Sequence, residues 1–346
     1  MMKTANMETI KLTLPVILVF SAFTLCQGTY SKESEIPPPL GKYGADSSNV
    51  SLSGFSSGAF MAVQVHVAYS KSLMGVGVIA GGPYYCAQAN SSVITCMQEP
   101  RKINVKYLAE VTRRTVSTGT IDDTANMEGD RIYLFGGILD ATVKQGVVQK
   151  VEEYYRYFVT TPTFMTNYSM MAGHAMITNF FGNPCDVEQS PYINNCNYHQ
   201  AFAILNHIYG DLKKPTGEVP LYGIFLTFDQ SEFLPGRNPK LYSMDNIGYA
   251  YIPSACRSTS SNCKVHVVLH GCTQGRIFLK EIYARKTGYN EVAELNDIII
   301  IYPQITPTLV NINGCWDWWG YTGLAYATNL APQMSAIKQM IDRVLS

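Results

Sequence analysis

The sequence has little charge, no internal repeat and no metal-binding motif. Only 15% of its 346 residues are charged, and 26 basic residues balance 26 acidic ones. A neutral chain without a basic cluster is a poor partner for nucleic acid or an anionic membrane surface, so the balance favours an uncharged substrate. Neither a Cys-x-x-Cys pair nor a His-Glu-x-x-His motif occurs, and we therefore expect no metal and no other cofactor.

No apolar run has the roughly 20 residues that a membrane span needs. The longest run near the N-terminus, 12–25, is interrupted by Thr13 and Pro15 and follows Lys3 and Lys11. This layout is typical of a secretory signal peptide, and a membrane anchor is the less favoured alternative. The sequence predicts a signal peptide over 1–28, an extended lead-in over 29–48 and one catalytic domain over 49–346, in a secreted protein without a stable membrane anchor.

Nine cysteines are present, and one of them, Cys26, lies in the predicted signal peptide. The even number that remains favours disulfides in an exported protein. Neighbours in sequence close loops most easily, and the last pair follows by elimination. The predicted bridges are Cys86–Cys96, Cys185–Cys196, Cys256–Cys263 and Cys272–Cys315. Asn49, Asn90 and Asn167 each begin an Asn-x-Ser sequon, which is compatible with a glycoprotein.

Strand and helix patterns alternate along the chain. Short apolar runs predict buried strands, and apolar residues at helical spacing predict helices. The predicted strands are 50–53, 76–80, 132–136, 223–227, 249–252, 265–269 and 298–302. The predicted helices are 58–70, 143–158, 198–209, 279–295 and 332–345. This alternation indicates a single α/β domain whose mainly parallel sheet carries helices on both faces.

The stretch Gly54-Phe55-Ser56-Ser57-Gly58 matches the Gly-x-Ser-x-Gly pattern of a nucleophile elbow. A predicted strand precedes it and a predicted helix follows it, which is the setting that the strained turn requires. The pattern therefore predicts Ser56 as a nucleophile. The alternative is an ordinary turn rich in glycine and serine.

A serine nucleophile needs a base and an acid, and the chain has only six histidines. Four of them lie within predicted helices or strands, where structural hydrogen bonding is the commoner role: His66, His199, His207 and His266. His174 instead follows a glycine in a turn, and Asp140 follows the predicted strand 132–136. The order Ser56, Asp140, His174 is that of the α/β-hydrolases. Asp122, Asp123 and Asp130 compete for the role of the acid, but their polar stretch suggests a solvated loop.

His270-Gly271-Cys272 follows the predicted strand 265–269, where this fold places half of its oxyanion hole. In the ordinary order that strand precedes the nucleophile, whereas here it comes more than two hundred residues later. A circular permutation that joined the final helix to the strand before Ser56 would restore the order. Permutation is tolerated where chain termini lie close together.

From about Val50 to the C-terminus, the chain resembles the fungal-type, single-domain polyhydroxybutyrate depolymerases. The resemblance lies in the segments GFSSGAFMAVQ, VIAGGPYYCA, YLFGGILDATV, AGHAMIT, PYINNCNY, LHGCTQ and NGCWDWWGY. It implies a triad of Ser56, Asp140 and His174 and an oxyanion hole made by the backbone amides of Ser57 and Cys272. It also implies that Trp316 lies in the substrate cleft, and we place Trp319 of the same aromatic cluster beside it.

The resulting hypothesis is a secreted, monomeric serine esterase that hydrolyses poly(3-hydroxybutyrate) or its oligomers. A carbohydrate-side-chain esterase of the feruloyl or acetyl type would use the same triad and is the first alternative. A secreted binding protein on a hydrolase shell is the second, although such a shell has no chemical need for a complete triad. The tryptophan cluster has its own alternative, a core cluster held by Cys315.

Overall fold

The computed structural model describes residues 37–90, 92–160, 163–258 and 262–346. The predicted signal peptide and residues 29–36 of the predicted lead-in lie outside the described residues.

An eight-stranded sheet forms the centre of the fold, in the order β4-β3-β2-β1-β10-β11-β9-β8. Neighbouring strands are parallel from β4 to β11, whereas β9 runs antiparallel to both β11 and β8. A second, three-stranded sheet has the order β5-β7-β6. The strands are β1 Val50–Phe55, β2 Gly75–Ile79, β3 Arg131–Phe135, β4 Phe164–Asn167, β5 Met176–Thr178, β6 Asn183–Pro184, β7 Ile193–Asn195, β8 Ile224–Asp229, β9 Ile247–Ile252, β10 Lys264–Leu269 and β11 Ile298–Tyr302.

Helices lie between the strands, and α1, which follows the central strand β1, is buried along its whole length. The helices are α1 Ser57–Ala68, α2 Cys86–Asn90, α3 Thr95–Gln98, α4 Val105–Ser117, α5 Gln145–Tyr155, α6 Gln200–Tyr209, α7 Arg276–Leu279, α8 Ile282–Lys286, α9 Tyr289–Asn296 and α10 Pro332–Leu345. Together with the parallel sheet they confirm the α/β-hydrolase fold class. No helix in the described ranges has the length and apolar character needed to cross a membrane.

The strand order supports the circular permutation. If the chain is read from β8, through α10, and then on to β1, the sheet order becomes 1-2-4-3-5-6-7-8. In that numbering β10 is the third strand, and the His-Gly turn follows it, as the oxyanion turn of an α/β-hydrolase follows the third strand. The residues before β1 also contact the C-terminus, because the amides of Tyr43 and Ala45 donate to the carbonyl of Val344.

The predicted lead-in has no helix or strand over 37–46, yet it packs on the folded domain. Leu40 is buried in the core, and its carbonyl accepts a hydrogen bond from Arg343 of α10. The amide of Asp229 donates to the carbonyl of Pro38. The described part of the lead-in therefore packs on the domain, although it has no core of its own.

One predicted helix is wrong. The stretch 279–295 holds the end of α7, then α8 and α9, because Lys280 and Gly288 adopt positive φ values of 52° and 86°. A residue with positive φ cannot continue a right-handed helix. Helices α2, α3 and α4, edge strand β4 and the three strands of the second sheet were not predicted. The other predicted strands and helices are present within a few residues of their expected bounds.

Four disulfides join the eight cysteines of the described residues, in the pairs expected from the sequence. Three close loops with sequence separations of 7 to 11 residues. The fourth, Cys272–Cys315, spans 43 residues and joins the turn after β10 to the tryptophan segment.

Candidate active site

The turn at Ser56 joins β1 to α1 in a strained conformation, with φ 55° and ψ −123°. A Cβ at Gly54 would lie 2.1 Å from the carbonyl oxygen of Gly58, and a Cβ at Gly58 would lie 2.3 Å from that of Leu269. Only glycine allows these approaches, so the two glycines of the motif permit the tight strand-to-helix turn. The turn directs the Ser56 side chain to the carboxyl edge of the sheet, as a nucleophile elbow does.

Ser56, His174 and Asp140 form a continuous hydrogen-bonded chain. The His174 Nε2 lies 2.9 Å from the Ser56 Oγ, and the His174 Nδ1 lies 2.8 Å from the Asp140 Oδ2. All three side chains are buried. Because an ionised carboxylate can only accept, Nδ1 must carry the proton and Nε2 is left to accept from the serine hydroxyl. That tautomer is the one a general base needs.

Hydrogen bonds hold the side chain of Asp140, and ring packing holds that of His174. Asp140 lies in the turn after β3, and its Oδ1 accepts hydrogen bonds from the amides of Thr142 and Val143 at 2.9 and 2.7 Å. His174 lies just before β5, and the ring of Phe55 packs against its imidazole with the ring centroids 4.6 Å apart. Local turn geometry therefore fixes the carboxylate, and packing fixes the ring.

The turn at His270 and Gly271 lies directly beside Ser56. A Cβ at Gly271 would lie 3.1 Å from the Ser56 Cβ, so a side chain there would crowd the nucleophile elbow. The His270 Nδ1 donates to the carbonyl of Gly271 at 2.7 Å, and its Nε2 accepts from the amide of Ile305 at 3.1 Å. Burial lowers the pKa of His270 to about 4, which agrees with a neutral ring. A neutral imidazole thus fixes the shape of this turn.

The backbone amides of Ser57 and Cys272 are the expected donors of the oxyanion hole. Ser57 is the first residue of α1, where an amide has no partner within the helix. Within the described ranges, the amides of Ser57 and Cys272 donate no hydrogen bond to a backbone carbonyl or a side chain. Both belong to turns whose geometry is fixed, Cys272 also by its disulfide to Cys315.

The four histidines expected within helices and strands each make a hydrogen bond to a neighbouring protein group. His66 Nδ1 bonds the Tyr155 hydroxyl, His199 accepts from the amide of Phe202, His207 bonds the carbonyl of Thr163, and His266 bonds the hydroxyls of Ser51 and Ser53. The expectation that Asp130 lies in a solvated loop is wrong. Asp130 is only 7% exposed, because its Oδ2 lies 3.1 Å from the Nε2 of buried His66.

Trp316 does not present an exposed ring. Its side chain is 0% exposed and lies 5.8 Å from the His270 ring, measured between centroids. Its indole N–H has no hydrogen-bond partner in the part of the chain that the structure describes. The sequence-based picture of a tryptophan that grips substrate at the cleft surface is therefore wrong for Trp316, because its ring packs inward. Trp319 is half-buried and packs against Tyr321, with centroids 4.9 Å apart.

Apolar side chains, mostly aliphatic, are exposed next to the His-Gly turn. The amide of Thr273 in this turn donates to the carbonyl of Asn313, and a Cβ at Gly314 would lie 3.2 Å from the ring of Phe278. The first contact joins the turn to the segment 309–314, and the second joins that segment to Phe278; both segments carry exposed apolar residues. We call this set the apolar rim: Ile277, Phe278, Leu309, Val310 and Ile312.

Sequence reasoning missed two polar residues near the site, Glu188 and Gln274. Gln274 accepts from the amide of Gly271 at 2.7 Å and donates to the carbonyl of Pro191 at 2.9 Å. Glu188 accepts from backbone amides on both sides of the His174–Asp140 pair. Neither residue belongs to a motif built around the nucleophile, although Gln274 follows the His-Gly turn closely enough to have been a candidate.

Within the described ranges there is no cluster of three or more histidine, cysteine or acidic side chains that could hold a metal.

Comparisons with known proteins point to one group of enzymes. The chain is 41% identical over 330 residues to a poly(3-hydroxybutyrate) depolymerase of Delftia acidovorans, and the match covers 94% of this chain and 65% of the Delftia protein. It is 36% identical over 323 residues to a polyhydroxybutyrate depolymerase of Talaromyces funiculosus, a match that covers 89% of this chain and 92% of that protein. No family model matches the chain.

Solved structures agree with the sequence comparisons. The crystal structure of the PHB depolymerase from Penicillium funiculosum matches with a TM-score of 0.83 and 34% identity, over 89% of this chain and 98% of that one. A serine-to-alanine variant of a PHB depolymerase, complexed with an R3HB trimer, matches with the same values.

Proposed function

This chain belongs to the family of polyhydroxybutyrate depolymerases, which are carboxylic ester hydrolases, and we propose that it hydrolyses poly(3-hydroxybutyrate) and its oligomers through an acyl-enzyme on Ser56. The observation that carries the proposal is the chain of hydrogen bonds from Ser56 through His174 to Asp140. The complex of a similar enzyme with an R3HB trimer supports the choice of substrate. A feruloyl or acetyl esterase is not favoured, since the relatives above are named as depolymerases.

Acylation begins when His174 Nε2 takes the proton of the Ser56 hydroxyl and Oγ attacks the ester carbonyl. The carbonyl oxygen becomes an oxyanion, for which the amides of Ser57 and Cys272 are the donors in this proposal. Collapse of the tetrahedral intermediate breaks the ester bond. His174 then gives its proton to the departing hydroxyl end of the polymer, and the acyl group stays on Ser56.

Deacylation repeats the same proton transfers with water as the nucleophile. His174 removes a proton from the water as it attacks the acyl-enzyme, and it returns that proton to Ser56 Oγ as the hydroxy acid leaves. Asp140 keeps the imidazole in its working tautomer and stabilises the imidazolium that forms in each half of the reaction. Its own orientation is supported by the two amides that bond Oδ1.

A solid polymer must also be held at the protein surface, and the apolar rim is suited to that task. Leu309 is 99% exposed, while Val310 and Ile312 are about 70% exposed beside it. Apolar residues that are exposed together mark interaction surfaces, and a polyester with methyl side groups offers matching apolar area. In this proposal the rim adsorbs the polymer and Trp319 lies at the substrate cleft, whereas Trp316 has no adsorbing role.

We also propose that the protein acts outside the cell as a monomer, without a stable membrane anchor and without a nucleic-acid partner. The four disulfides support an oxidising compartment. Residues 1–28 are the proposed signal peptide and residues 49–346 the proposed catalytic domain. Light scattering on the purified protein tests the oligomeric state, and sequencing of the mature N-terminus tests the cleavage.

The substrate is tested with the purified protein on a polyhydroxybutyrate suspension and, in parallel, on methyl ferulate. We expect the suspension to clear, with release of 3-hydroxybutyrate or its short oligomers, and we expect little turnover of the aromatic ester. Rapid hydrolysis of methyl ferulate with no clearing of the polymer would overturn the substrate assignment while leaving the serine esterase intact.

A further inference from the structure

Glu188 makes hydrogen bonds to both turns that carry the His174–Asp140 pair. Its Oε1 accepts from the amide of Ala141 at 2.6 Å and from the amide of His174 at 3.1 Å. Its Oε2 accepts from the hydroxyl of Thr142 at 3.2 Å. One carboxylate thus joins the turn after β3 to the segment before β5, although the two are more than thirty residues apart.

The backbone around Glu188 is itself fixed. It lies in the loop that the Cys185–Cys196 disulfide closes, and the side chain of Asn194 donates to the carbonyls of Cys185 and Val187 inside this loop. The Cys185 carbonyl also accepts from the amide of Gly173, next to His174. A rigid loop therefore supports the carboxylate.

Gly173 lets Glu188 approach this closely. A Cβ at Gly173 would lie 2.8 Å from the Glu188 Cγ and 2.7 Å from the carbonyl oxygen of Asp186. Any side chain at position 173 would push the Glu188 loop away from the histidine turn. The close contact between the two segments thus depends on a glycine that the Ser56–His174–Asp140 chain does not itself use.

We infer that Glu188 is a positioning residue, which holds the Asp140 turn and the His174 turn at the separation that the Ser56–His174–Asp140 chain requires. It touches neither the substrate nor the reacting atoms. Its effect on Asp140 and His174 is indirect, because it binds the backbone amide of Ala141, next to Asp140, and that of His174. Misplacement of a catalytic group by about 1 Å can cost roughly 100-fold in rate, so loss of this link should lower kcat. The inference rests on the proposed esterase activity.

Three substitutions separate the contribution of hydrogen bonding from that of charge. In Glu188→Gln the amide oxygen can still accept from both backbone amides, so kcat should stay within about threefold of the parent. Glu188→Asp keeps the charge but is one methylene shorter, and Glu188→Ala removes the acceptor. For both of these we expect kcat on p-nitrophenyl butyrate to fall roughly 10- to 100-fold, with KM within about twofold.

A proton NMR measurement gives a readout that does not depend on turnover. The proton between His174 Nδ1 and Asp140 should give a resolved downfield resonance in the parent and in Glu188→Gln. In Glu188→Asp and Glu188→Ala we expect that resonance to broaden or disappear, because the two turns are no longer held together. If Glu188→Ala fails to fold, the comparison of Asp with Gln decides the question.

Glu294→Ala is a matched control. Glu294 accepts from the Tyr251 hydroxyl and from the amide and hydroxyl of Ser254. Because β9 is antiparallel to its neighbours, its C-terminal end lies at the edge of the sheet opposite Ser56, and Ser254 follows that end. We expect this variant to lose stability but to keep kcat and the NMR signal.

Retention of kcat in Glu188→Asp and Glu188→Ala, or an equal loss in Glu188→Gln, would overturn the inference. Absence of esterase activity in the unaltered protein would instead refute the proposed function, and the NMR comparison would still test the positioning role.

Discussion

The amide of Trp316 donates a hydrogen bond to the Oγ of Ser57, the residue after Ser56, at 3.3 Å. This bond joins the tryptophan segment to the nucleophile elbow from the inside of the domain, where the Trp316 ring is also buried. The tryptophan segment thus supports the site from the core side, whereas the exposed apolar residues near the site are those of the apolar rim.

We therefore expect Trp316→Ala to lower activity on polymer and on p-nitrophenyl butyrate to a similar extent. Removing a buried tryptophan leaves a cavity and typically costs about 3–5 kcal/mol of folding stability. Thermal unfolding and both assays on the same preparation check this. A variant with an unchanged melting temperature that loses only film erosion would restore Trp316 to the substrate surface and contradict its burial.

Substitutions in the apolar rim should instead lower activity on polymer while leaving activity on the small ester nearly unchanged. In Leu309→Ser with Ile312→Ser, erosion of a polyhydroxybutyrate film should fall at least tenfold, whereas turnover of p-nitrophenyl butyrate should stay within twofold. Both side chains are largely exposed, so stability should hardly change. Binding of protein to polymer granules, measured by depletion from solution, should fall in parallel.

Tyr222→Ser is the control for the rim. Tyr222 is 71% exposed and precedes β8, at the edge of the sheet opposite the candidate active site. The substitution removes an exposed aromatic side chain that is larger than either Leu309 or Ile312. In our proposal, the face that carries Tyr222 does not contact the polymer. Equal loss of film erosion in this control would show that general surface hydrophobicity, rather than the rim, governs adsorption.

The identity of the acid is tested by comparing Asp140→Asn with Asp130→Asn. An amide at position 140 would favour the wrong imidazole tautomer, so we expect kcat to fall by roughly 10³- to 10⁴-fold, less than for loss of Ser56 or His174. Asp130→Asn weakens a buried contact to His66 and should lower stability while kcat is retained. The reverse pattern would make Asp130 the acid.

Two buried histidines predict acid sensitivity of the fold. Burial lowers the pKa of His266 to about 3, and the pKa of His270 is lowered to about 4, from an ordinary value of about 6.5. At a pH between the native and the ordinary pKa, the unfolded chain binds more protons than the native one. The contribution of each histidine to the free energy of unfolding is therefore fully present above pH 6.5 and is lost as pH falls toward 4. From pH 7 to 5 each histidine should cost about 2 kcal/mol.

Urea unfolding at pH 7, 6 and 5 measures this loss. In His266→Gln the titrating group is gone, so the difference in unfolding free energy between pH 7 and 5 should shrink by about 2 kcal/mol. An unchanged difference in this variant would mean that His266 is not the neutral, buried group that the structure describes.

Much of the fold could be predicted because its central strands are short apolar runs, such as β11. Edge strand β4 could not, since its side chains are only partly buried and its sequence lacks an apolar run. The stretch 279–295 has a helical pattern throughout, and that pattern does not reveal the positive φ values at Lys280 and Gly288 that divide it.

At the candidate site, the residues next to a motif could be predicted and the residues that support them could not. Ser56 and the His-Gly turn lie in short segments with their own geometry. Glu188 accepts hydrogen bonds from the backbone amides of Ala141 and His174. Almost every residue has such an amide, so the sequences of these two turns do not indicate the contact. The inward packing of Trp316 could not be inferred either, because an aromatic cluster in a loop has the same composition whether it faces solvent or the core.

The most direct test of the account is the hydrolysis of p-nitrophenyl butyrate and of polyhydroxybutyrate by Ser56→Ala, with Ser117→Ala on the exposed end of α4 as the control. The substitution at Ser56 removes one oxygen atom from a turn that the flanking glycines already permit, so the melting temperature should be unchanged. We predict a loss of roughly 10⁶-fold in kcat on both substrates and full activity in the control. Activity of folded Ser56→Ala within tenfold of the parent would contradict the assignment of Ser56 as the nucleophile.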